Sequence, residues 1–344
     1  MLINTPKIPF KKIIIYGFLP NWIKIAIYKL KGHKISKNVK LSFGSVIIGD
    51  NVSIGEGCNL GVFTILRAKN IEISNHVNIG PFTFIDTINL YLGIDTVINN
   101  NVIIGGLITS RSSFRTGKRV KIGQNSFLNC TESISIGDDS GIGGHNYLFT
   151  HGSWLSQLDG FPVSFKSIEI GERVWLAWCV FVMPGVKLGN NIVVVSNSTI
   201  TKSFENNLLI SGSPAKVILD NYPKELSKNK KNELFHNMLN DFFDYLKLNG
   251  FQIELKKDHN QYDIIKNNLK SSIFIIINNK SKINFSDDNL IIKYEEYDFE
   301  EKTRCMIIDM NNKTRSGSSK VGEEFVKFIS RYGIRFDRIQ NKTR

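Results

Sequence analysis

A strict six-residue period constrains this chain more than any other feature. The run IEIGERVWLAWCVFVMPGVKLGNNIVVVSNSTITKS, inside residues 143–219, places Ile170, Leu176, Val182, Leu188, Val194 and Ile200 at intervals of six. That period fits neither the 3.6 of a helix nor the plain alternation of a strand. It is the repeat of a parallel β-helix, in which each turn of chain stacks on the turn before it. Within a unit, the aliphatic position and the one two before it point inward, as in Val180 with Val182 and Val186 with Leu188.

The same period is legible, less regularly, from about residue 41. Ile48, Ile54, Leu60 and Leu66 keep it, and after a slip of one residue so do Ile73, Ile79 and Ile85. The phase wanders between residues 92 and 127, where the polar SRSSFRTGKR at 110–119 reads as a loop or an irregular coil. Order returns at Ile136, Ile142, Leu148 and Trp154. Trp154 and Ile170 are sixteen positions apart where six would suffice, and Asp159, Gly160 and Pro162 between them are turn formers. Such an excursion from a regular coil is where repeat proteins place binding function.

The two ends differ from the repeat. Residues 1–40 mix lysines with Phe10, Phe18 and Trp22, which suits either a helical cap over the open end of the coil or a segment lying on an anionic membrane surface. Residues 41–220 form the repeat domain. In residues 221–344 the period is lost: Leu234, Phe235, Met238, Leu239, Phe242, Phe243 and Leu246 share one helical face ending at Asn249-Gly250. Short apolar runs follow at 251–255, 273–277, 290–294 and 305–310, then a last helix with Val321, Phe325, Phe328, Ile329 and Tyr332 on one face. This is the pattern of a small α/β accessory domain, and it carries no catalytic motif.

Composition narrows the function classes. With 344 residues and 42% hydrophobic content the chain can bury real cores, which excludes a disordered protein. The net charge of +13 suits an anionic partner, but no nucleic-acid recognition motif accompanies it. Cys58, Cys130, Cys179 and Cys305 are scattered without a CxxC pair, as expected in a reducing compartment, the cytoplasm being the simplest. The apolar residues at 13–19 are interrupted by Pro20 and Lys24, well short of the roughly 20 that a spanning helix needs.

Chemistry concentrates in GGHNYLFTHGSW, just before the excursion. His145 and His151 each lie three residues after an aliphatic position, Ile142 and Leu148, which places them at the same corner of successive coil segments and facing outward.

From His151 through IEIGERVWLAWCVFVMPGVKLGNN to the TK pair and GSPAKVI, the chain resembles the hexapeptide-repeat acyltransferases. The likeness is to the branch of galactoside and maltose acetyltransferases and polysaccharide O-acetyltransferases. It is strong over residues 136–219, looser over 33–135 and absent beyond. The resemblance implies a left-handed parallel β-helix, a homotrimer, and acetyl-CoA as co-substrate in the cleft between subunits. It implies His151 as general base toward a sugar hydroxyl, the Trp178 backbone N–H as oxyanion donor, and Ala177, Ser196, Thr201 and Lys202 as contacts of CoA. Asn129 lies near an acceptor-positioning asparagine of the family, Trp154 and Asp159 flank or sit in the acceptor excursion, and His145 is a second catalytic candidate. Two positions depart from the family pattern: Ala177-Trp178 replaces a glycine and a small residue, and SNS precedes the TK pair where a glycine is usual.

The implied activity is acetyl-CoA-dependent O-acetylation of a sugar in a bacterial surface polysaccharide, such as lipopolysaccharide, or its precursor. Alternatives are N-acetylation of an amino sugar on a nucleotide sugar, a γ-class carbonic-anhydrase-like zinc enzyme, or a non-catalytic β-helix scaffold. The zinc reading fits poorly, because GGHNYLFTHG only approximates a GHxxxxHG pair and no third histidine lies a few coils upstream. No metal is expected.

Overall fold

A computed structural model describes residues 2, 10–255, 261–266, 269–276, 290–293 and 305–339. The chain divides into two compact units, Met1–Lys224 and Glu225–Arg344.

The first unit is a three-sided parallel β-helix. Two of its sheets have eight strands and one has ten, and each coil contributes a short strand to each face in turn. The period-six residues are the interior: Ile170, Leu176, Val182, Leu188, Val194 and Ile200 are all buried, as are Val180 and Val186. On the third face they stack in register, Leu66 on Ile85, Ile85 on Ile104, Ile104 on Leu128 and Leu128 on Leu148. Each such side chain contributes about 1.5–3 kcal/mol on burial, so the column is the main stabilising element of the unit.

Coil length explains the irregular phase. Asn51 pairs with Asn70 and Asn70 with Asn89, nineteen positions apart each time, whereas Glu169 pairs with Lys187, eighteen apart. Asn89 pairs with Ser113 and Ile134 with Ile168, so two coils carry longer insertions. Residues 110–119 belong to an irregular coil and not to a loop: Ser113–Thr116 is a regular strand with Phe114 fully buried, and Thr116 Oγ1 meets Thr96 Oγ1 inside. A buried threonine pair is polar by composition and interior by position, which the hydrophobic pattern does not register. Trp154 is likewise outside the repeat and 96% exposed, because the chain leaves the coil after Thr150.

Two of the three corners turn through a residue with positive φ. Gly44, Phe63, Phe82, Asn101, Asn125, His145, Cys179 and Asn197 hold this position at the corner between the second and third faces. The phenylalanines there form an exposed ladder, Phe18 to Phe43 to Phe63 to Phe82, with ring centroids 4.8–5.7 Å apart.

Residues 10–30 cap the open first coil with α1 (Phe10–Gly17) and α2 (Asn21–Leu30). The first coil has unpaired backbone groups on its upper side, and α2 satisfies several of them. Asn21 Oδ1 accepts from Leu41 N, Tyr28 Oη accepts from Ile47 N, and buried Lys24 Nζ donates to the carbonyls of Ser42 and Ser45 at 2.8 and 3.1 Å.

Among the described residues, the second unit is a mixed seven-stranded sheet with helices α3 (Lys228–Leu248) and α4 (Lys320–Ile329). Phe235, Leu239, Phe242 and Leu246 of α3 pack with Phe325, Phe328 and Ile329 of α4 and with sheet residues Ile273, Ile292 and Met306 in one core. Sequence patterning missed the strands Gln261–Lys266, Thr314–Ser316 and Asp337–Arg338. The apolar runs expected at 273–277 and 290–294 fall in the strands Leu269–Ile276 and Leu290–Lys293, with Ile277 and Tyr294 outside the described residues. All four cysteines are free thiols.

Candidate active site

His151 stands where the long insertion leaves the corner between the third and first faces. It starts a two-residue antiparallel ribbon, His151 opposite Phe165 and Gly152 opposite Ser164. Its ring is half-buried and stacks on Phe165, with centroids 5.6 Å apart at 19°. Beneath it lies a buried polar layer. Asn129 Oδ1 accepts from Thr131 N at 3.3 Å and from Thr131 Oγ1 at 2.9 Å, and His151 Nδ1 is 2.9 Å from Asn129 Oδ1 and 3.0 Å from Thr131 Oγ1.

This layer decides the tautomer. A backbone N–H can only donate, so the contact from Thr131 N identifies the Asn129 atom as oxygen, and His151 Nδ1 must carry the hydrogen that reaches it. Nε2 is then the lone-pair nitrogen, and it has no partner among the described residues. Burial holds the imidazole below its ordinary protonation range, favouring the neutral ring.

Further contacts hold the layer. Thr150 Oγ1 donates to Asn129 O at 2.6 Å and accepts from Glu132 N at 2.9 Å, and the hydroxyls of Thr109 and Ser112 donate to Thr131 O. Glu132 is paired with Arg111 Nη2 at 2.7 Å. Gly106 leaves the room: a Cβ there would fall 2.8 Å from both Asn129 Oδ1 and Thr131 Oγ1. Asn129 entered the sequence reading through an approximate alignment, while Thr131 and Gly106 were missed. Neither has a sequence signal of its own, since stacking joins positions 20 and 22 apart where coil length varies.

The remaining residues fall at two edges. Thr201 and Lys202 lie at the corner after the strand Thr199–Ile200, the same edge as His151, and both are exposed. Ala177, Trp178 and Ser196 lie at the corner between the second and third faces. Trp178 N donates to Ser196 Oγ over 3.3 Å. Its indole leans over Gly144, where a Cβ would fall 2.8 Å from the ring, and tilts against His145 at 5.9 Å.

His145 is therefore not at the same corner as His151. It occupies the positive-φ turn between the second and third faces, and its Nε2 lies 3.2 Å from Asn125 Nδ2. A period of six advances the chain by one side of a three-sided coil, so residues six apart fall on adjacent corners; only a full coil returns to the same one. Among the described residues, no group of three His, Cys, Asp or Glu side chains is placed to hold a metal ion. Trp154 is almost wholly exposed. Asp159 closes a single 3-10 turn, Gln157–Asp159, and neither residue touches the His151 layer.

No family model matches the chain. It is 35% identical over 130 residues to the Escherichia coli protein WcaF, named as a colanic acid biosynthesis acetyltransferase, covering 37% of this chain and 71% of that protein. It is 32% identical over 116 residues to the galactoside O-acetyltransferase of Escherichia coli, covering 30% of this chain and 56% of the relative. Among solved structures, the polySia-specific acetyltransferase NeuO matches at 19% identity with a TM-score of 0.36, covering 60% of this chain and 98% of that one. The chain belongs to the hexapeptide-repeat acetyltransferases, and its coil is the left-handed parallel β-helix of that family. It is an acyltransferase.

Proposed function

We propose that the protein transfers an acetyl group from acetyl-CoA to a sugar hydroxyl of a bacterial surface polysaccharide or its precursor. The observation that carries this reading is the tautomer at His151, with Nδ1–H held by Asn129 and Nε2 free to take a proton. Nε2 removes the hydroxyl proton as that oxygen bonds to the thioester carbonyl carbon. The tetrahedral intermediate collapses with cleavage of the C–S bond, and the proton passes from Nε2 to the departing sulfur. Such proton transfer contributes roughly 10²–10⁴ in rate. The Trp178 N–H, held only by a long contact to Ser196 Oγ, is the oxyanion donor in this scheme. Lys202 offsets phosphate charge of the nucleotide end, with Thr201 beside it and Ala177 and Ser196 lining the thioester arm.

In this scheme the site is shared between chains. The His151 edge and the Trp178 edge are separated by the width of the third face, roughly 15–20 Å for five or six extended residues, whereas reacting atoms approach to about 3–3.5 Å. One chain cannot bring them together. The third face also presents an outward apolar column in register, Ile65, Phe84, Ile103, Phe127, Tyr147 and Phe181, with Ile103 47% and Phe181 40% exposed. The first face is polar at the equivalent places except at Tyr91, its outward column running Glu72, Tyr91, Arg115, Ser135, Glu169 and Lys187. Three copies closing a ring through their third faces bury this column and set the His151 edge of one against the Trp178 edge of the next. The excursion with Trp154, Leu158 and Asp159 then stands beside the shared cleft as its acceptor-side wall.

The reading is supported by the WcaF relationship, a protein named for polysaccharide biosynthesis. Incubating the purified protein with radiolabelled acetyl-CoA and the capsule or lipopolysaccharide glycan of its host tests it. Label released by mild alkali, as an O-acetyl ester is, agrees with the proposal. Label resistant to alkali identifies amide transfer, and no transfer to glycan contradicts the proposed acceptor.

A further inference from the structure

Helix α2 is built inside out. Its stripe of Asn21, Lys24 and Tyr28 faces the protein and is occupied by backbone groups of the first coil. The opposite stripe, Trp22, Ala26 and Leu30, faces away, with Trp22 72% and Leu30 87% exposed. Ile14 and Ile15 of α1 and Phe18 of the connection are exposed as well. A helix facing water on its outer side carries the reverse pattern, with lysine outward and tryptophan and leucine inward.

Charge follows the same plan. The first 49 residues contain nine lysines and no aspartate or glutamate, the first acidic residue being Asp50. Lys11 and Lys29 are exposed on the cap helices, and Lys31, just after α2, lies over the Tyr16 ring at 4.3 Å. A second copy of the same cap would oppose one acid-free cationic surface to another, which like-charge repulsion disfavours. The complementary surface is apolar just beneath and anionic above.

We propose that the cap is a membrane-docking surface for an anionic phospholipid bilayer. Trp22, Leu30, Ile14, Ile15 and Phe18 enter the boundary between headgroups and acyl chains, and the lysines meet the headgroup phosphates. The cap thereby performs two tasks with opposite faces of one helix, closing the coil and holding the enzyme at a lipid surface. This inference stands independently of the acetyl-transfer scheme, since none of these residues belongs to the His151 or Trp178 edge.

Flotation of the full-length protein with phosphatidylcholine vesicles, with and without phosphatidylglycerol, tests the proposal. The wild type is expected to float only with anionic vesicles and to be released as salt rises. The Trp22→Ser/Leu30→Ser and Lys11→Glu/Lys29→Glu variants should each lose vesicle binding by about tenfold or more. Thermal unfolding and acetylation of a soluble acceptor should remain at wild-type levels, since these side chains point away from the fold. Equal flotation of wild type and both variants, flotation with neutral vesicles alone, or no flotation at all overturns the proposal. So does a fall in oligomer mass, rather than in vesicle binding, on changing Trp22 and Leu30.

Discussion

At His151 the decisive atom is not on the imidazole but on Asn129. Because Thr131 N–H fixes the Asn129 oxygen, the amide can accept from Nδ1 but cannot repel a proton there. An Asn129→Asp change replaces that neutral acceptor with a carboxylate and should raise the imidazole pKa. As the proposed base the imidazole must be neutral, so activity should be present above its pKa and be lost as pH falls through it. In the wild type, burial depresses that pKa, and the acid limb of kcat/KM should lie below the ordinary value of about 6.5. In the variant it should move to higher pH, and an unmoved limb would detach Asn129 from the proton-transferring group. The family pattern pointed to His151 as the candidate base. Asn129 came only through an approximate match and Thr131 not at all, because both reach the imidazole through stacking across a coil of irregular length.

At the scale of elements, the interior column and the cap stabilise the unit by different means. The column is apolar and was read almost completely from the period, since inward alternation repeats whatever the exact length of each coil. The cap was legible only as one of two readings, for the reason that its inward face is polar: Lys24 is buried against two carbonyls and contributes no hydrophobic signal. Lys24→Met keeps the length of the side chain but leaves the Ser42 and Ser45 carbonyls without this donor. It should cost about 1–3 kcal/mol, measured by chemical denaturation. A stability gain would mean that desolvating the ammonium outweighs its two bonds. Ser113–Thr116 teaches the same lesson from inside the coil, where paired threonines hide a strand from a hydrophobicity reading.

Across the whole first unit, the architecture sets apart the two edges that the proposed reaction joins. Each side of a coil is about five or six residues of extended chain around a short strand, and that width holds the Trp178 and His151 edges apart in every chain. The sequence put His145 and His151 at one corner and could not separate them, because period six is shared by all three sides. In the proposed ring, His151 of one chain acts on a donor held at the Trp178 edge of its neighbour. Co-expressing two inactive variants tests it most directly: His151→Ala, which lacks the base, and Ser196→Trp, which fills the donor edge from an exposed position. Each alone should fall at least about a hundredfold in turnover. In randomly mixed rings about a quarter of the clefts combine an intact His151 edge with an intact donor edge, so activity should return to about that fraction of wild type. Mixed assemblies as inactive as either parent would place both edges of a working site in one chain and contradict the account.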